Sequence, residues 1–336
     1  MTTGDPMSTM THPEQETPPA TAGKSGRAGR SPGMSRLLLR DSVATGAAVV
    51  LILVALTGVL GPWLVGDLAT KQNLPLAGTA PFAGGDGWAY VLGTDSLGRS
   101  MLARLVVAAR TTLSVAVPAV LISLVVGSIW GMWAGYHRGW RETLSMRIAD
   151  IILSFPSLLL AVVVLYVFSP SAANIVAVLA VARIPVYLRT ARAEAAELRS
   201  RLYVDAARTF GTRSGAIIRR HVVPSVLPTL LTVATMDFCF VMLAESSLSF
   251  LGIGIQPPEV SWGLMVAQGR EYLHTAWWVS FLPGLAIVIT TISATMLASW
   301  FRIATDPGQR WRLALPRRRR PRGLGATVPV TPEETR

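Results

Sequence analysis

The sequence has little charge for its length, and this shortage is the first guide to its class. Only 15% of its 336 residues are charged, whereas 51% are hydrophobic; a soluble domain carries about 25% charged residues. The shortage argues against an ordinary soluble domain and favours a membrane protein. Acidic residues are the scarcer sign, and the formal net charge of +12 raises the question of a nucleic-acid partner.

Cysteine and histidine are also scarce, which removes several kinds of site. Cys239 is the single cysteine, so no disulfide framework can form within the chain. The histidines are not spaced like metal ligands such as His-x3-His; they are His12, His137, His221 and His274. Since no acid, base and nucleophile visibly converge, we predict no catalytic residue, no metal site and no cofactor bound by this chain.

Residues 1–34 lack apolar periodicity and are rich in Pro, Gly, Ser and Thr. Such a segment buries too little surface to offset its ordering entropy, so a disordered tail is predicted. It also lacks the apolar core of a signal peptide. The tripeptide GKS at residues 23–25 resembles the end of a P-loop, but that motif needs a glycine where Pro18 stands and a preceding strand. Nucleotide binding by this chain is therefore rejected.

Long apolar runs are abundant. A hydrocarbon core of about 30 Å is crossed by roughly 20 apolar helical residues, and prolines at positions 118, 156 and 185 are tolerated within a helix bundle. The sequence therefore predicts an all-α integral membrane protein with six transmembrane helices. The predicted spans are residues 43–65, 113–135, 148–168, 172–188, 226–251 and 277–301.

Basic residues indicate the orientation of these spans. Most of the 31 Lys and Arg residues lie in the two tails and in the loops after the second and fourth spans. Because positive residues stay on the cytoplasmic side, both termini are predicted to be cytoplasmic. The basic C-terminal tail is expected to meet anionic lipid headgroups. No nucleic-acid partner is expected, since no groove-reading or aromatic-interleaved motif accompanies the charge.

The segment 99–110 is the exception, because it places Arg99, Arg104 and Arg110 on the outer side. We expect it to form an interfacial helix parallel to the membrane. Its apolar residues would face lipid or protein; they are Leu102, Leu105 and Val106.

A basic, amphipathic stretch, YVDAARTFGTRSGAIIRRHVVP at residues 203–224, lies on the predicted cytoplasmic side. It predicts two short helices. Gly211 suits the left-handed turn that closes the first helix, Thr212 is expected to cap the second, and Pro224 to end it. The first apolar face holds Leu198, Leu202, Ala206 and Phe210, with Ala207 beside them; the second holds Ile217, Ile218, His221 and Val222. On these grounds alone, an interfacial anchor and a docking element remain equally open.

The segments DAARTFG and IIRRHVVPSVLP resemble the EAA loop of ABC importer permeases, with an aspartate replacing the motif's glutamate. The matched positions are Asp205, Ala206, Ala207, Gly211, Ile217 and Pro224. Three further blocks are similar to the second permease subunit of dipeptide, oligopeptide and nickel importers: LGTDSLGRSMLARLVVAARTTLSV, RIADIILSFPSLLLA and AESSLSFLGIGIQPPEVSWGLM. The resemblance covers about residues 37–307; the long basic tails and Asp237 depart from it.

The resemblance implies a type I ABC importer permease fold with a cytoplasmic coupling helix, in the bacterial cytoplasmic membrane. Its implied parts are a tail at 1–34, a first transmembrane helix and outer loop at 35–105, a five-helix core at 106–303 and a basic tail at 304–336. It implies a heterodimer with a second permease subunit, two cytoplasmic ATPase subunits that use ATP and Mg²⁺, and an extracytoplasmic solute-binding protein. The 203–224 loop would couple to the ATPase subunits.

Polar residues inside the spans have two interpretations. An acid at membrane depth is costly and is by default a functional hypothesis, so Asp237 is a candidate for the translocation path, or a partner of Arg183. Glu245, with serines around it, either packs between helices or lines the path. Asp150 and Arg147 are expected to form an ion pair on one helix face.

Other functional classes fit less well. A membrane-embedded enzyme would need converging catalytic groups, and the EAA-like loop favours an importer over an exporter or a channel. The substrate stays open among peptides, nickel, glutathione and other small solutes. The Gly/Pro-rich stretch GIGIQPPEVSWG is an outer loop that either meets the solute-binding protein or is an ordinary turn.

Overall fold

The structure is a computed structural model, and it describes residues 37–39, 41–83, 87–137 and 139–305. The predicted tail at 1–34 and all but the first two residues of the predicted tail at 304–336 lie outside these ranges. Within them the chain is mostly helical and has no β-strand. The predicted all-α membrane fold is thereby confirmed for the described part of the chain.

From Ser42 onward, ten α-helices follow one another along the described residues. They are α1 (Ser42–Thr70), α2 (Met101–His137), α3 (Trp140–Ser154), α4 (Ser157–Phe168), α5 (Ala172–Arg199), α6 (Leu202–Thr209), α7 (Ser214–Ile217), α8 (Val223–Phe250), α9 (Trp262–Gly269) and α10 (Trp278–Thr305). A π-helical turn, Ile218–Val222, joins α7 to α8. Short 3-10 helices lie at Leu74–Leu76, Trp88–Tyr90 and Arg270–Tyr272.

Five of these helical segments are long and apolar enough to cross a membrane, and a sixth span results if α3 and α4 are counted together. That pair is bent by 82°, and its break lies within residues 148–168, the predicted third span, which is therefore two helices at an angle. The break falls at Phe155 and Pro156, where Phe155 is extended with φ −93° and ψ 134°. A proline lacks the backbone N–H of a helix and disfavours helical geometry in the residue before it.

The outer segment 99–110 does not form a separate interfacial helix, so that expectation is wrong. Residues from Met101 onward belong to α2, a single helix of 37 residues and about 55 Å in length. The reason is electrostatic. Arg104 is buried and bonds to Asp95 and Gln268, so its charge is compensated within the protein and does not have to lie at the water interface.

Helices α2 and α5 form the most extensive helix pair of the structure. Three glycines on α2, spaced four residues apart in GSIWGMWAG, allow this approach. A Cβ added at Gly127, Gly131 or Gly135 would lie 2.3–2.6 Å from a backbone oxygen of α5. Small residues at this spacing let the backbones of two membrane helices come close, and a side chain larger than hydrogen does not fit here.

Ion pairs join the bent span to α5 at the predicted cytoplasmic end. Glu142 pairs with Arg192, and Asp150 pairs with Arg189. The expected pair between Asp150 and Arg147 is therefore wrong, because the carboxylate turns to the neighbouring helix instead of along its own.

The glycine stripe generates a stability prediction. We expect Gly131→Ala to destabilise the protein by about 1–3 kcal/mol, because the added methyl group overpacks the contact with α5. Gly46→Ala in α1 is the matched control, since a Cβ at Gly46 meets nothing within 4 Å and alanine gains up to about 1 kcal/mol in helix propensity. Thermal unfolding in detergent, followed by tryptophan fluorescence, measures both. A Gly131→Ala midpoint at or above that of Gly46→Ala would contradict the packing.

Candidate functional site

The segment 200–222 forms a compact helix–turn–helix at the end of α2. Two of its buried apolar residues, Val204 and Ile217, pack on Tyr136 near the C-terminus of α2. Arg199 donates to the backbone oxygen of Tyr136 at 2.6 Å, and Arg208 donates to the Tyr136 hydroxyl at 3.1 Å. The segment is therefore fixed to the long helix by a buried contact and by Arg208, and Arg199 at the end of α5 adds a bond directly before it.

The predicted left-handed turn is present at Gly211, where φ is +74°. Two other predictions about this segment are wrong. Thr212 does not cap the second helix, whose N-cap is Arg213 with no side-chain cap bond. Pro224 does not end it either, because Pro224 lies in the first turn of α8, where a missing N–H costs no helical hydrogen bond.

The opposite face of α6 is open. The side chains of Leu202 and Phe210 are 88% and 87% exposed, and Ala206 is exposed between them. Helical spacing puts these three residues on one face. Exposed apolar side chains this close together are typical of a surface that lipid or another protein covers.

Asp205 lies beside this face and pairs with Arg208 at 3.4 Å. Ala207 is half-buried toward the cluster on Tyr136. The matched positions of this segment thus lie on two sides of one element, of which one side packs toward Tyr136 and the other is exposed. These positions are Asp205, Ala206, Ala207, Gly211 and Ile217.

Asp237 lies near the middle of α8, and its side chain is fully buried. It accepts hydrogen bonds from Arg183 of α5 and, at 3.0 Å, from the Tyr187 hydroxyl. The pairing with Arg183 that the sequence suggested is present. In this structure Asp237 consequently has no contact with open space.

Glu245 is also fully buried, nearer the C-terminal end of α8, which is the predicted outer end. Ser249 donates to it at 2.8 Å and Ser246 at 3.4 Å. Ser249 in turn accepts the backbone N–H of Ile255 at 3.0 Å. These bonds tie α8 to the Gly/Pro-rich outer loop and support a packing role for Glu245.

A cavity of about 500 Å³, on the predicted outer side, lies between the start of α2, the end of α8 and α9. Asp95 is its electrostatic centre: it pairs with Arg99 at 2.6 Å and with Arg104. Burial by itself raises the pKa of Asp95, but the hydrogen bond from the Arg99 backbone N–H and the charges of Arg104 and Arg99 outweigh burial and hold the pKa below its ordinary value.

Two parts of these sites were not predicted. The anchoring residue Tyr136 lies 72 positions before Arg208, so no local pattern reveals their contact. Gln268 reaches Arg104 across 164 positions. The one available signal was the cost of leaving Arg104 unpaired near a membrane, which called for an acid or amide elsewhere in the chain.

Comparisons with known proteins agree with this geometry. A family model described as "Binding-protein-dependent transport system inner membrane component" matches residues 127–311. The chain is 36% identical over 272 residues to a putative peptide transport system permease protein of Brucella suis biovar 1 (strain 1330), covering 81% of this chain and 90% of that protein.

Two further relatives carry related names. A di/tripeptide transport system permease protein of Pseudomonas aeruginosa (strain UCBPP-PA14) is 35% identical over 266 residues, which cover 79% of this chain and 88% of the relative. A glutathione transport system permease protein of Escherichia coli O1:K1 / APEC is 32% identical over 276 residues, which cover 81% and 88%.

The Asp95 cluster predicts a defined pH dependence. We expect Asp95→Asn to destabilise the protein by about 3 kcal/mol, because Arg104 stays buried without its anion. Since the folded pKa of Asp95 is depressed, the carboxylate contributes fully above its unfolded pKa of about 4 and loses its contribution as the pH falls through the folded value. The stability difference between parent and variant should therefore stay constant from about pH 5.5 to 8.

Thermal unfolding in detergent across that range measures the difference. Glu259→Gln is the control, because Glu259 is an exposed acid of the outer loop. The depressed pKa of Asp95 would be contradicted if Asp95→Asn had the stability of the parent, or if the two differed in stability only around neutral pH.

Proposed function

Because this chain belongs to the binding-protein-dependent transport system inner membrane component family, we propose that its 200–222 segment couples it to a cytoplasmic ATPase subunit. The chain is a permease subunit of an ABC importer and a multi-pass protein of the plasma membrane. The observation that carries the proposal is the exposed apolar face of Leu202, Ala206 and Phe210 on an otherwise anchored element.

Transmission of movement requires a stiff connection. Helix α6 follows α5 after two residues, and Tyr136 holds it against α2 through Val204 and Arg208. A displacement of the free face is therefore passed directly to two membrane helices. A flexible loop would absorb the same displacement.

An interfacial lipid anchor is the competing explanation of this face. Exposed basic residues nearby, Arg213, Arg219 and Arg220, would suit anionic headgroups. The exposed carboxylate of Asp205, next to Ala206, would not, because the same headgroups repel it. A protein cleft that takes apolar side chains and also accepts an acid fits the face better.

We propose that the transported solutes are short peptides. The relatives named above are peptide, di/tripeptide and glutathione permeases, and glutathione is itself a tripeptide, so the names share one chemical class. Nickel remains the alternative that the sequence resemblance raised.

The assembly that we propose contains this chain, a second permease subunit, two ATPase subunits and an outer solute-binding protein. ATP and Mg²⁺ would be bound by the ATPase subunits, and this chain would bind no cofactor and no nucleic acid. Both termini would be cytoplasmic, and the basic C-terminal tail would lie near lipid headgroups. The distribution of Lys and Arg supports this orientation.

The turn at Gly211 provides the test of coupling. A β-branched residue at φ +74° is strained by about 1–2 kcal/mol or more, so Gly211→Val should change the direction of α6 relative to α7. The membrane spans are untouched, and insertion should stay at the parental level. We expect weaker capture of ATPase subunits in detergent, or normal capture with lost stimulation of ATPase activity by loaded binding protein in proteoliposomes.

Gly215→Val is the matched control. A Cβ at Gly215 also meets nothing within 4 Å, but its backbone is not left-handed. Its ATPase capture and stimulation should equal those of the parent. If Gly211→Val also shows parental capture, stimulation and uptake, the loop is an anchor and the coupling proposal fails.

A further inference from the structure

We propose that Arg183 is a specificity-determining residue that binds the carboxylate of the transported solute inside the membrane. This inference rests on the proposed import of peptides and adds the part of the peptide that the permease recognises. It starts from the buried pair between α5 and α8, in which the two charged side chains differ in exposure. The Asp237 side chain is 0% exposed, whereas that of Arg183 is 21% exposed.

The carboxylate of Asp237 is fully occupied by hydrogen bonds from its partners. It accepts bonds from the Arg183 guanidinium and from the Tyr187 hydroxyl, and no part of its side chain reaches the surface. It is therefore unable to contact a passing solute in this conformation. Its role toward Arg183 is to fix the position of the guanidinium, which is the requirement for a binding group of defined geometry.

Arg183 keeps bonding capacity that Asp237 does not use. Nε and Nη2 point to Oδ1 of Asp237, while Nη1 makes no hydrogen bond to any residue in the described ranges. A guanidinium presents its N–H groups in a planar fork that matches a carboxylate. The edge of the fork that includes Nη1 is free to donate to a second anion.

The surroundings of the guanidinium are amphipathic. Its central carbon lies 4.4 Å from the centroid of the Phe240 ring, and Phe240 is 40% exposed. A partly exposed cation near the middle of a span is costly against lipid, so this face lies against water or protein. A carboxylate beside an apolar surface is the chemistry of a peptide C-terminus with its last side chain.

The same face of α8 continues toward the outer end. Phe240, Leu243, Ser247 and Phe250 recur at helical spacing, and the last three line a groove of about 320 Å³. A solute that moves along this face from the outside would meet Arg183 near mid-membrane. Because Asp237 cancels the charge of Arg183, the pair holds an anion weakly, and weak binding permits release onward.

The test compares a dipeptide with its C-terminal amide in proteoliposomes that contain the full complex and its binding protein. The variant is Arg183→Gln/Asp237→Asn, which removes both charges and so leaves no unpaired buried ion. We expect the parent to import the free acid in preference to the amide, and the variant to lose about tenfold or more of that preference, the effect of one hydrogen bond between charged groups. The variant should still assemble and hydrolyse ATP.

Arg189→Gln/Asp150→Asn is the matched control, because it neutralises the exposed ion pair between α3 and α5. Its acid-to-amide preference should equal that of the parent. The binding protein is the same in every sample, so a changed ratio belongs to the permease. Arg183→Lys, which keeps the charge without the fork, should retain part of the preference.

Two results would overturn the inference alone: an unchanged ratio in a variant complex that still imports peptides, and loss of the second permease subunit from the purified variant. The second would mean that the guanidinium serves assembly. If the parent complex imports neither peptide, the proposed substrate class fails, and this inference fails with it.

Discussion

The close backbone contact between α2 and α5 is the interaction on which the rest of the structure depends. The glycines of α2 at positions 127, 131 and 135 allow it. One partner, α2, carries Arg104 at the outer end and Tyr136 at the other; α5 carries Arg183 and continues into the 200–222 segment. The outer cavity, the ion pair of Arg183 with Asp237 and the proposed coupling surface therefore each include residues of α2 or α5, or of the segment that follows α5. A shift at one end is transmitted because neither helix can slide past the other without a clash.

Compensation of buried charge is the second constraint. Arg104 has Asp95 and Gln268, Asp237 has Arg183 and Tyr187, and Glu245 has serine hydroxyls. Unpaired charge at membrane depth is costly, so each pair also locks two parts of the chain together. The proposed coupling segment differs from these sites because it leaves the apolar residues Leu202 and Phe210 exposed. Polar groups are thus paired in the interior, while apolar groups are exposed at the surface. This is expected of a subunit that binds other chains through its apolar surface.

The sequence predicted what depends on local pattern and missed what depends on distant partners. The places of the apolar helices follow from apolar runs, and the left-handed turn at Gly211 follows from the conformational freedom of glycine. The continuation of α2 through Arg104 was missed because Gln268, which compensates it, is far away in the chain. Pro224 was misplaced as a helix end, although a proline is equally suited to a first helical turn. The apolar face of α6 was predicted from helical spacing. Its exposure was not predicted, because it depends on which side of α6 packs against Tyr136.

The central claim is that the face of Leu202, Ala206 and Phe210 meets protein. The most direct measurement attaches a photoactivatable cross-linker to a single cysteine at Phe210→Cys, in a Cys239→Ala background within the assembled complex. Leu64→Cys on α1, 74% exposed on a helix long enough to span the membrane, is the reference for lipid contact. The account predicts that the probe at position 210 labels an ATPase subunit, while the probe at position 64 labels phospholipid. Phospholipid adducts at both positions would contradict it.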